Sequence, residues 1–253
     1  MVVISGTGRS GTSMWMQILA DAGMSVLGER FPSNWEKTLK AANPQGFFES
    51  TLVKGINFTT NPDPISGARV IPEESREQVV KIFASGVRRT ERIYLDRVLL
   101  TVRHWRAFAL SVHRLNAIQS AQNIALPETQ ANPCVWWFLE NIAVLQDAMI
   151  RGYPMRAVTY EAVLAEPEAV VGEILGWLGV SVSAAHVVDP SLRTVSAPSP
   201  IADEGELPSH WLEGFDALHA AIEDGSVWTP GRIQGFMRLR EELHSSLQPR
   251  GLP

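Results

Sequence analysis

Cysteine is almost absent from this chain, since Cys134 is the only one in 253 residues. A single cysteine forms no intrachain disulfide and builds no cysteine-based metal cluster, which fits a reducing cytoplasm. Basic residues are also scarce: 22 Lys and Arg stand against 27 Asp and Glu, for a formal net charge of -5. A protein that coats nucleic acid needs a dominant basic surface, so the composition disfavours that class, and any anion site must be local.

Long apolar runs are missing as well. The chain has no stretch of about 18 apolar residues, and its start, residues 1–6, lacks the basic leader of a signal peptide. We therefore expect a cytoplasmic protein that neither spans a membrane nor is exported. Apolar residues make up 45% and no stretch is typical of a linker, so we predict one folded domain over residues 1–253.

Short apolar runs alternate with helical patterns along the chain. Residues 2–4 form a short β-branched run, residues 98–102 have the unbroken apolar character of a buried parallel strand, and residues 155–159 are predicted to form another buried strand. Apolar residues at helical spacing follow the strands. The pattern predicts an α/β fold, with a mostly parallel central sheet flanked by helices on both faces.

Prolines mark where three of the predicted helices begin. Pro133, Pro167 and Pro230 each fit a first helical turn, where the missing N–H costs nothing. We also predict a helix over 73–92 and a flexible loop or lid over the proline-containing segment 196–210.

A glycine-rich segment, GTGRSGTS at residues 6–13, lies between the first strand and the first helix. Backbone N–H groups and the helix dipole converge there, so the segment can hold a phosphate without a large basic surface. Gly8 and Gly11 let the backbone come close, and the hydroxyls of Ser10, Thr12 and Ser13 add donors. The alternative is a turn that merely joins a strand to a helix.

The segment differs from the phosphate loop of kinases and GTPases. Gly6 and Gly11 have that loop's spacing, but Thr12 occupies the position of its lysine. The fixed cation is Arg9, inside the loop. Such a loop suits a nucleotide with one phosphate on its 5′ side and requires no metal.

Residues 9–13, RSGTS, resemble the 5′-phosphosulfate-binding loop of the sulfotransferases that use 3′-phosphoadenosine 5′-phosphosulfate (PAPS). Gly8 replaces the proline usual in that family. The family often has an adenine-stacking tryptophan directly after the two hydroxyls, where this chain has Met14, with Trp15 one residue later. The resemblance implies a P-loop NTPase-like sulfotransferase fold that takes PAPS as donor, releases adenosine 3′,5′-bisphosphate (PAP) and uses no metal.

The family's second motif binds the 3′-phosphate with an arginine just past a buried strand and a serine eight positions later. Arg103 follows the strand at 98–102, and Ser111 stands eight residues further on. An arginine fork matches the geometry of a phosphate. Surface arginines at a strand end are the alternative.

Two further similarities extend the match. Tyr160 lies in a segment similar to the one whose tyrosine contacts the adenine edge, and Arg193 lies in a late segment that could reach the nucleotide. Simple packing or surface charge explains either one equally well. The resemblance covers about residues 1–193 in order and leaves the last 60 unmatched.

Sulfuryl transfer needs charge stabilisation on the leaving phosphate and a base for the acceptor hydroxyl. Arg9 is the predicted stabilising group. Glu29, twenty residues after Arg9, and Glu49 are both candidates for a carboxylate base. The sequence does not distinguish between the two glutamates, and His104 and His113 are weaker candidates for the base.

The acceptor and two other functions stay open. A small molecule and a glycan both fit, and Trp35, Trp105 and Trp211 could line an acceptor pocket. The alternatives are a P-loop nucleotide kinase-like phosphotransferase and a non-catalytic nucleotide-binding protein of the same fold. We expect no nucleic-acid or membrane partner.

Overall fold

The computed structural model describes residues 1–124, 132–193, 200–205 and 207–247. The described residues form one five-stranded sheet: β1 Val2–Ser5, β2 Ser25–Leu27, β3 Gln78–Lys81, β4 Arg97–Val102 and β5 Met155–Thr159. The strand order is β2-β3-β1-β4-β5, and every neighbouring pair is parallel. The prediction of an α/β fold around a mostly parallel sheet is confirmed.

Nine helices accompany these strands in the described part of the chain: α1 Thr12–Asp21, α2 Trp35–Thr38, α3 Ala84–Val87, α4 Trp105–Ala121, α5 Pro133–Arg151, α6 Tyr160–Ala165, α7 Pro167–Leu178, α8 Ser209–Glu223 and α9 Pro230–Leu247. The three helices predicted from their prolines begin at those prolines. At α5 the Asn132 side chain also accepts hydrogen bonds from the N–H groups of Cys134 and Val135. Every helix described is too short or too polar to cross a membrane.

Helices cover both faces of the sheet because successive strand residues point to opposite sides. Val98 and Leu100 of β4 belong to a core shared with α4, α5, α8 and α9. Leu99, between them, belongs to a second core shared with α1 and α7. All three side chains are fully buried. The sheet is therefore the middle of three layers, as the sequence predicted.

The helix predicted over 73–92 is wrong. Strand β3 and the short helix α3 occupy that region. Val79 and Val80 are both fully buried because β3 lies between β1 and β2 and is covered on both faces. Because charged residues flank this short strand, the sequence of the region resembles that of an exposed helix. The edge strand β2, half exposed, was not predicted either.

The predicted loop over 196–210 is described only in part. Residues 196–199 and 206 lie outside the described residues. Ala202–Glu204 forms a 3-10 helix, and α8 already begins at Ser209. Glu204 receives two hydrogen bonds from the Arg106 guanidinium, at 2.7 and 3.0 Å, which anchor this part of the segment to α4.

The connections diverge between β1 and β4. From β1 the chain crosses through α1 to the edge strand β2, whereas from β4 it crosses through α4 and α5 to β5 at the opposite edge. A crevice forms where neighbouring parallel strands send their chains in opposite directions, and such crevices are the usual ligand sites of open α/β sheets.

Candidate functional site

The glycine-rich loop takes backbone conformations that explain its composition. Gly6 has φ 154° and Gly11 has φ 101°, both in the region that favours glycine. A Cβ on Gly11 would lie 2.7 Å from Cδ2 of Tyr160, and one on Gly6 would lie 2.4 Å from the Thr101 carbonyl oxygen. Helix α1 begins at Thr12. The strand, loop and helix predicted for this segment are confirmed.

Internal hydrogen bonds fix the loop against β4. The Ser10 hydroxyl donates to the Thr7 carbonyl at 2.7 Å, and the Thr101 hydroxyl donates to the Ser10 carbonyl at 3.0 Å. Ser10 is fully buried. Its hydroxyl therefore helps to fix the shape of the loop, and its contact with a phosphate stays a prediction. Thr12 and Ser13 are the loop hydroxyl residues that line the cavity described next.

A cavity of about 130 Å³ opens where the loop meets the carboxyl ends of β4 and β5. We call it the arginine cleft, defined by Arg9, Ser13, Arg103 and Tyr160. Arg9 follows β1, Arg103 follows β4 and Tyr160 follows β5. The structure thus brings together residues predicted from three separate motifs, on one face of the molecule.

Like charges meet in the arginine cleft. Burial, together with the nearby charges of Arg103 and Arg114, lowers the pKa of Arg9 to about 10. Burial also lowers the pKa of Arg103, and the charge of Arg193 acts in the same direction. Arg193 therefore lies near Arg103. An anion entering the cleft would relieve this repulsion and gain charge-assisted hydrogen bonds.

Tyr160 packs directly against this charge. The Arg103 guanidinium lies 4.9 Å from the centre of the Tyr160 ring, in cation–π geometry. Burial raises the pKa of the Tyr160 hydroxyl. The ring is thus a neutral wall of the cleft that also positions Arg103.

Ser111 holds Arg9. Arg9 Nε donates to the Ser111 hydroxyl at 3.1 Å, and Arg9 Nη2 donates to the Ala42 carbonyl at 3.0 Å. Ser111 is fully buried. Ser111, which belongs to the second motif, therefore contacts Arg9, which belongs to the first. A direct contact of Ser111 with a 3′-phosphate stays a prediction.

A lysine that the sequence reasoning missed lies beside the loop. Lys81 ends β3, is only 2% exposed, and its Nζ lies 2.8 Å from Glu49 Oε1. The same ammonium donates to the Phe47 carbonyl at 2.6 Å and to the Ser13 hydroxyl at 3.3 Å. Burial lowers the pKa of Lys81, and the Glu49 carboxylate opposes that shift. The sequence did not identify Lys81, because the helix predicted over 73–92 did not distinguish it from the other charged residues of that region.

The structure places the two candidate bases differently. Their backbones pair, since the Glu29 N–H donates to the Glu49 carbonyl at 2.9 Å and the Glu49 N–H returns a bond of 3.1 Å. The Glu49 side chain is 14% exposed and lines a cavity that also contacts Arg9. Glu29 is exposed and lines neither of the cavities that the described residues form around Arg9. The geometry favours Glu49.

This second cavity, of about 190 Å³, adjoins the arginine cleft. We call it the apolar pocket, because five of the eleven residues that line it are aromatic or leucine: Trp35, Leu39, Phe47, Phe83 and Leu115. Glu49 and Lys81 lie at its polar end. Arg9 and Thr12 line both cavities, so the two meet at the glycine-rich loop.

The tryptophans divide between core and pocket. Trp15, considered for adenine stacking, is fully buried in the core between the sheet and α7, whereas Met14 lines the arginine cleft. Trp105 and Trp211 are buried in the other core. Trp35 is the one of the three proposed pocket residues that lines the apolar pocket.

The two histidines considered as bases have other partners. His104 Nδ1 accepts the N–H of Arg106, and the His104 N–H donates to Glu161 at 3.2 Å. Glu161 also contacts His219 Nε2 at 3.2 Å. Burial raises the pKa of Glu161, but the hydrogen bond from His219 and the others it accepts outweigh burial and leave this pKa lowered. His113 is exposed and pairs with Asp203 at 2.8 Å.

Similarity to known proteins does not settle what this site does. No protein-family model and no curated protein matches the chain. Within the described ranges, no group of three or more His, Cys, Asp or Glu side chains converges to hold a metal ion.

Proposed function

We propose that this protein is a PAPS-dependent sulfotransferase with a P-loop NTPase-like sulfotransferase fold. The observation that carries the proposal is that Arg9 and Arg103, from loops after two adjacent strands, line one cleft. PAPS carries an anionic group at each of two positions of its ribose. The phosphate loop receives the 5′-phosphosulfate and Arg103 the 3′-phosphate. Tyr160 and Arg193 then lie near the nucleoside.

The proposed reaction is an in-line transfer between the two cavities. An acceptor oxygen attacks sulfur, so that an O–S bond forms while the bond from sulfur to the bridging oxygen breaks. The electron pair of the broken bond stays on the 5′-phosphate of PAP, where Arg9 and the N-terminus of α1 stabilise it. Glu49 takes the proton of the acceptor hydroxyl. Sulfated acceptor, PAP and the protonated carboxyl account for all atoms.

Arg103 tests the assignment of the 3′-phosphate. Arg103→Ala should weaken PAP binding by about 10- to 100-fold, because a hydrogen bond to a charged group contributes about 1.5–3 kcal/mol. Binding of adenosine 5′-monophosphate, which lacks the 3′-phosphate, should change little. Isothermal titration with both nucleotides measures the difference. Equal losses for the two nucleotides would show that Arg103 supports the fold of the cleft and does not read the 3′-phosphate.

A matched control separates this effect from a general loss of positive charge. Arg156 is an arginine of the edge strand β5, is 49% exposed and pairs with Glu173 at 2.8 Å. Arg156→Ala removes the same side chain outside the cleft. Its affinity for both nucleotides should equal that of the wild type.

The spacing of Gly6 and Gly11 also favours a kinase-like phosphotransferase, although Thr12 replaces the lysine of such loops. Titration with ATP·Mg²⁺ and with PAP discriminates between the two functions. Tight binding of ATP·Mg²⁺ alone would defeat the sulfotransferase assignment. Full PAPS binding without transfer to any acceptor would instead favour a non-catalytic nucleotide-binding protein.

A further inference from the structure

The apolar pocket shares Arg9, the group that stabilises the leaving phosphate in the proposed reaction, with the arginine cleft. Arg9 and Thr12 line both the apolar pocket and the arginine cleft, and Glu49 and Lys81 also line the apolar pocket. A molecule that fills the pocket therefore presents its polar group to the phosphate loop. The pocket thus has the position that an acceptor requires, and this part of the inference depends on the proposed function.

The walls of the pocket select the chemistry of its ligand. The rings of Trp35 and Phe47 meet edge to face, with centroids 4.9 Å apart and an interplanar angle of 78°. Leu39 and Leu115 pack in the same cluster. Surfaces of this kind favour a flat apolar ring, because aromatic groups prefer edge-to-face or offset contacts. A monosaccharide would leave several hydroxyls against carbon.

Size restricts the ligand further. The pocket has about 190 Å³ of space, and an apolar protein cavity of about 150 Å³ is enough to bind benzene. One substituted ring therefore fills this space, whereas several fused rings or a polymer chain would have to extend beyond it.

The charges at the polar end indicate the functional group. In the proposed reaction Arg9 faces the anionic phosphosulfate of the donor, so the charges left for the acceptor are those of the Lys81–Glu49 ion pair, and Lys81 is the cation that lines the acceptor's side. A cationic amine is disfavoured there, and a hydroxyl that becomes anionic as it loses its proton is favoured. A phenolic hydroxyl has this property.

We propose that the apolar pocket binds a small single-ring phenol as the sulfuryl acceptor, with its ring between Trp35 and Leu115 and its hydroxyl beside Glu49. The phenol oxygen forms the new bond to sulfur, the bridging oxygen of PAPS keeps the electron pair of the broken bond, and the phenol proton passes to Glu49.

Binding and turnover of 4-ethylphenol test this proposal. Isothermal titration of the full chain, with and without PAP, measures binding, and transfer from labelled PAPS measures turnover. We compare 4-ethylcyclohexanol, which is the saturated counterpart, with glucose and with a three-ring phenol. The expected result is that 4-ethylphenol binds in both states and is sulfated at least 10-fold faster, in kcat/KM, than each of the others.

Two variants place the ligand in the pocket. Trp35→Ala should weaken 4-ethylphenol binding on the order of 10-fold through loss of the ring contact, and Leu115→Trp should block binding by filling the space. Both should keep the PAP affinity of the wild type, which shows that they are folded. Trp228→Ala is the control, since Trp228 is 36% exposed and does not line the apolar pocket as far as the described residues show.

The outcomes distinguish the two proposals. Failure of PAP to bind would defeat the proposed function, while 4-ethylphenol binding that depends on Trp35 would still support the pocket's preference for a single ring. PAP binding together with faster sulfation of glucose or of the cyclohexanol would overturn the acceptor inference alone. Equal 4-ethylphenol affinity in wild type and Leu115→Trp would also overturn it.

Discussion

Arg9→Ala is expected to lower turnover by about 100- to 1000-fold, the usual cost of removing one group that stabilises charge developing in a transition state. Arg9 lines both cavities and is held by Ser111 and the Ala42 carbonyl, so its guanidinium is fixed before any ligand arrives. Transfer from labelled PAPS to a saturating acceptor gives kcat, and titration with PAP gives the loss in ground-state binding. We expect the loss in kcat to exceed the loss in PAP affinity.

Arg9→Lys refines this experiment. A lysine keeps the charge but has no planar fork, and it cannot make both contacts that hold Arg9. We expect it to restore PAP affinity more than turnover. Arg156→Ala again serves as the control for loss of an arginine. If Arg9→Ala retained more than a tenth of wild-type turnover, the assignment of Arg9 to the leaving phosphate would be wrong.

The parts of the fold that could be predicted from the sequence are those with a local physical signature. The run at 98–102 is apolar on both faces because β4 is central in the sheet, and all of Val98–Val102 is buried. Pro133 is incompatible with most positions in a helix except the first turn. The loop at 6–13 can be recognised in the sequence because glycine is required where the backbone has positive φ or approaches Tyr160 closely.

The rest of the site depends on contacts between residues distant in sequence. Glu49 and Lys81 form an ion pair although they are 32 positions apart in the chain. The sequence around either residue does not predict that it pairs with the other. A short strand such as β3 is specified by its neighbours β1 and β2 more than by its own four residues. Trp15 is another example, since a tryptophan serves equally well in a core or beside a ligand, and only the fold shows that Trp15 is buried in the core.

The choice between Glu29 and Glu49 is a case where the structure narrows what the sequence left open. Both lie at positions that suit a base in the family the motifs resemble, and their backbones pair with each other. Only the direction of the side chains separates them: Glu49 lines the apolar pocket with Arg9, and Glu29 is exposed. This difference makes the pair a natural test and control.

The two cavities also divide the expected effects of substitution. A change in the arginine cleft, as in Arg103→Ala, should act on nucleotide affinity, and a change in the wall of the apolar pocket should act on the acceptor. Arg9 and Thr12 line both. Effects on kcat without a matching effect on either affinity should therefore be confined to Arg9, Glu49 and their immediate partners.

Glu49→Gln is expected to lower kcat by about 100- to 10,000-fold, the usual contribution of a positioned general base. Glutamine keeps the size of the side chain but does not accept a proton at neutral pH. PAP affinity should not fall, because Glu49 lines the apolar pocket and the loss of its negative charge makes Arg9 and Lys81 more attractive to an anion. Glu29→Gln makes the same chemical change at an exposed position and should leave turnover near normal. If both variants turned over normally with PAP binding intact, the glutamate-base hypothesis would fail.

The ion pair with Lys81 introduces a second effect that the experiment must separate. Removing one partner of a fully buried pair costs about 3–5 kcal/mol, because the other charge is left uncompensated, and Glu49 is 14% exposed, so the cost here should be smaller. The double variant Glu49→Gln, Lys81→Met removes both charges and should regain most of the lost stability in thermal unfolding. It should stay as inactive as the single variant, since the base is still missing. Recovery of turnover together with stability would show that Glu49 acts by neutralising Lys81 and not by accepting the acceptor's proton.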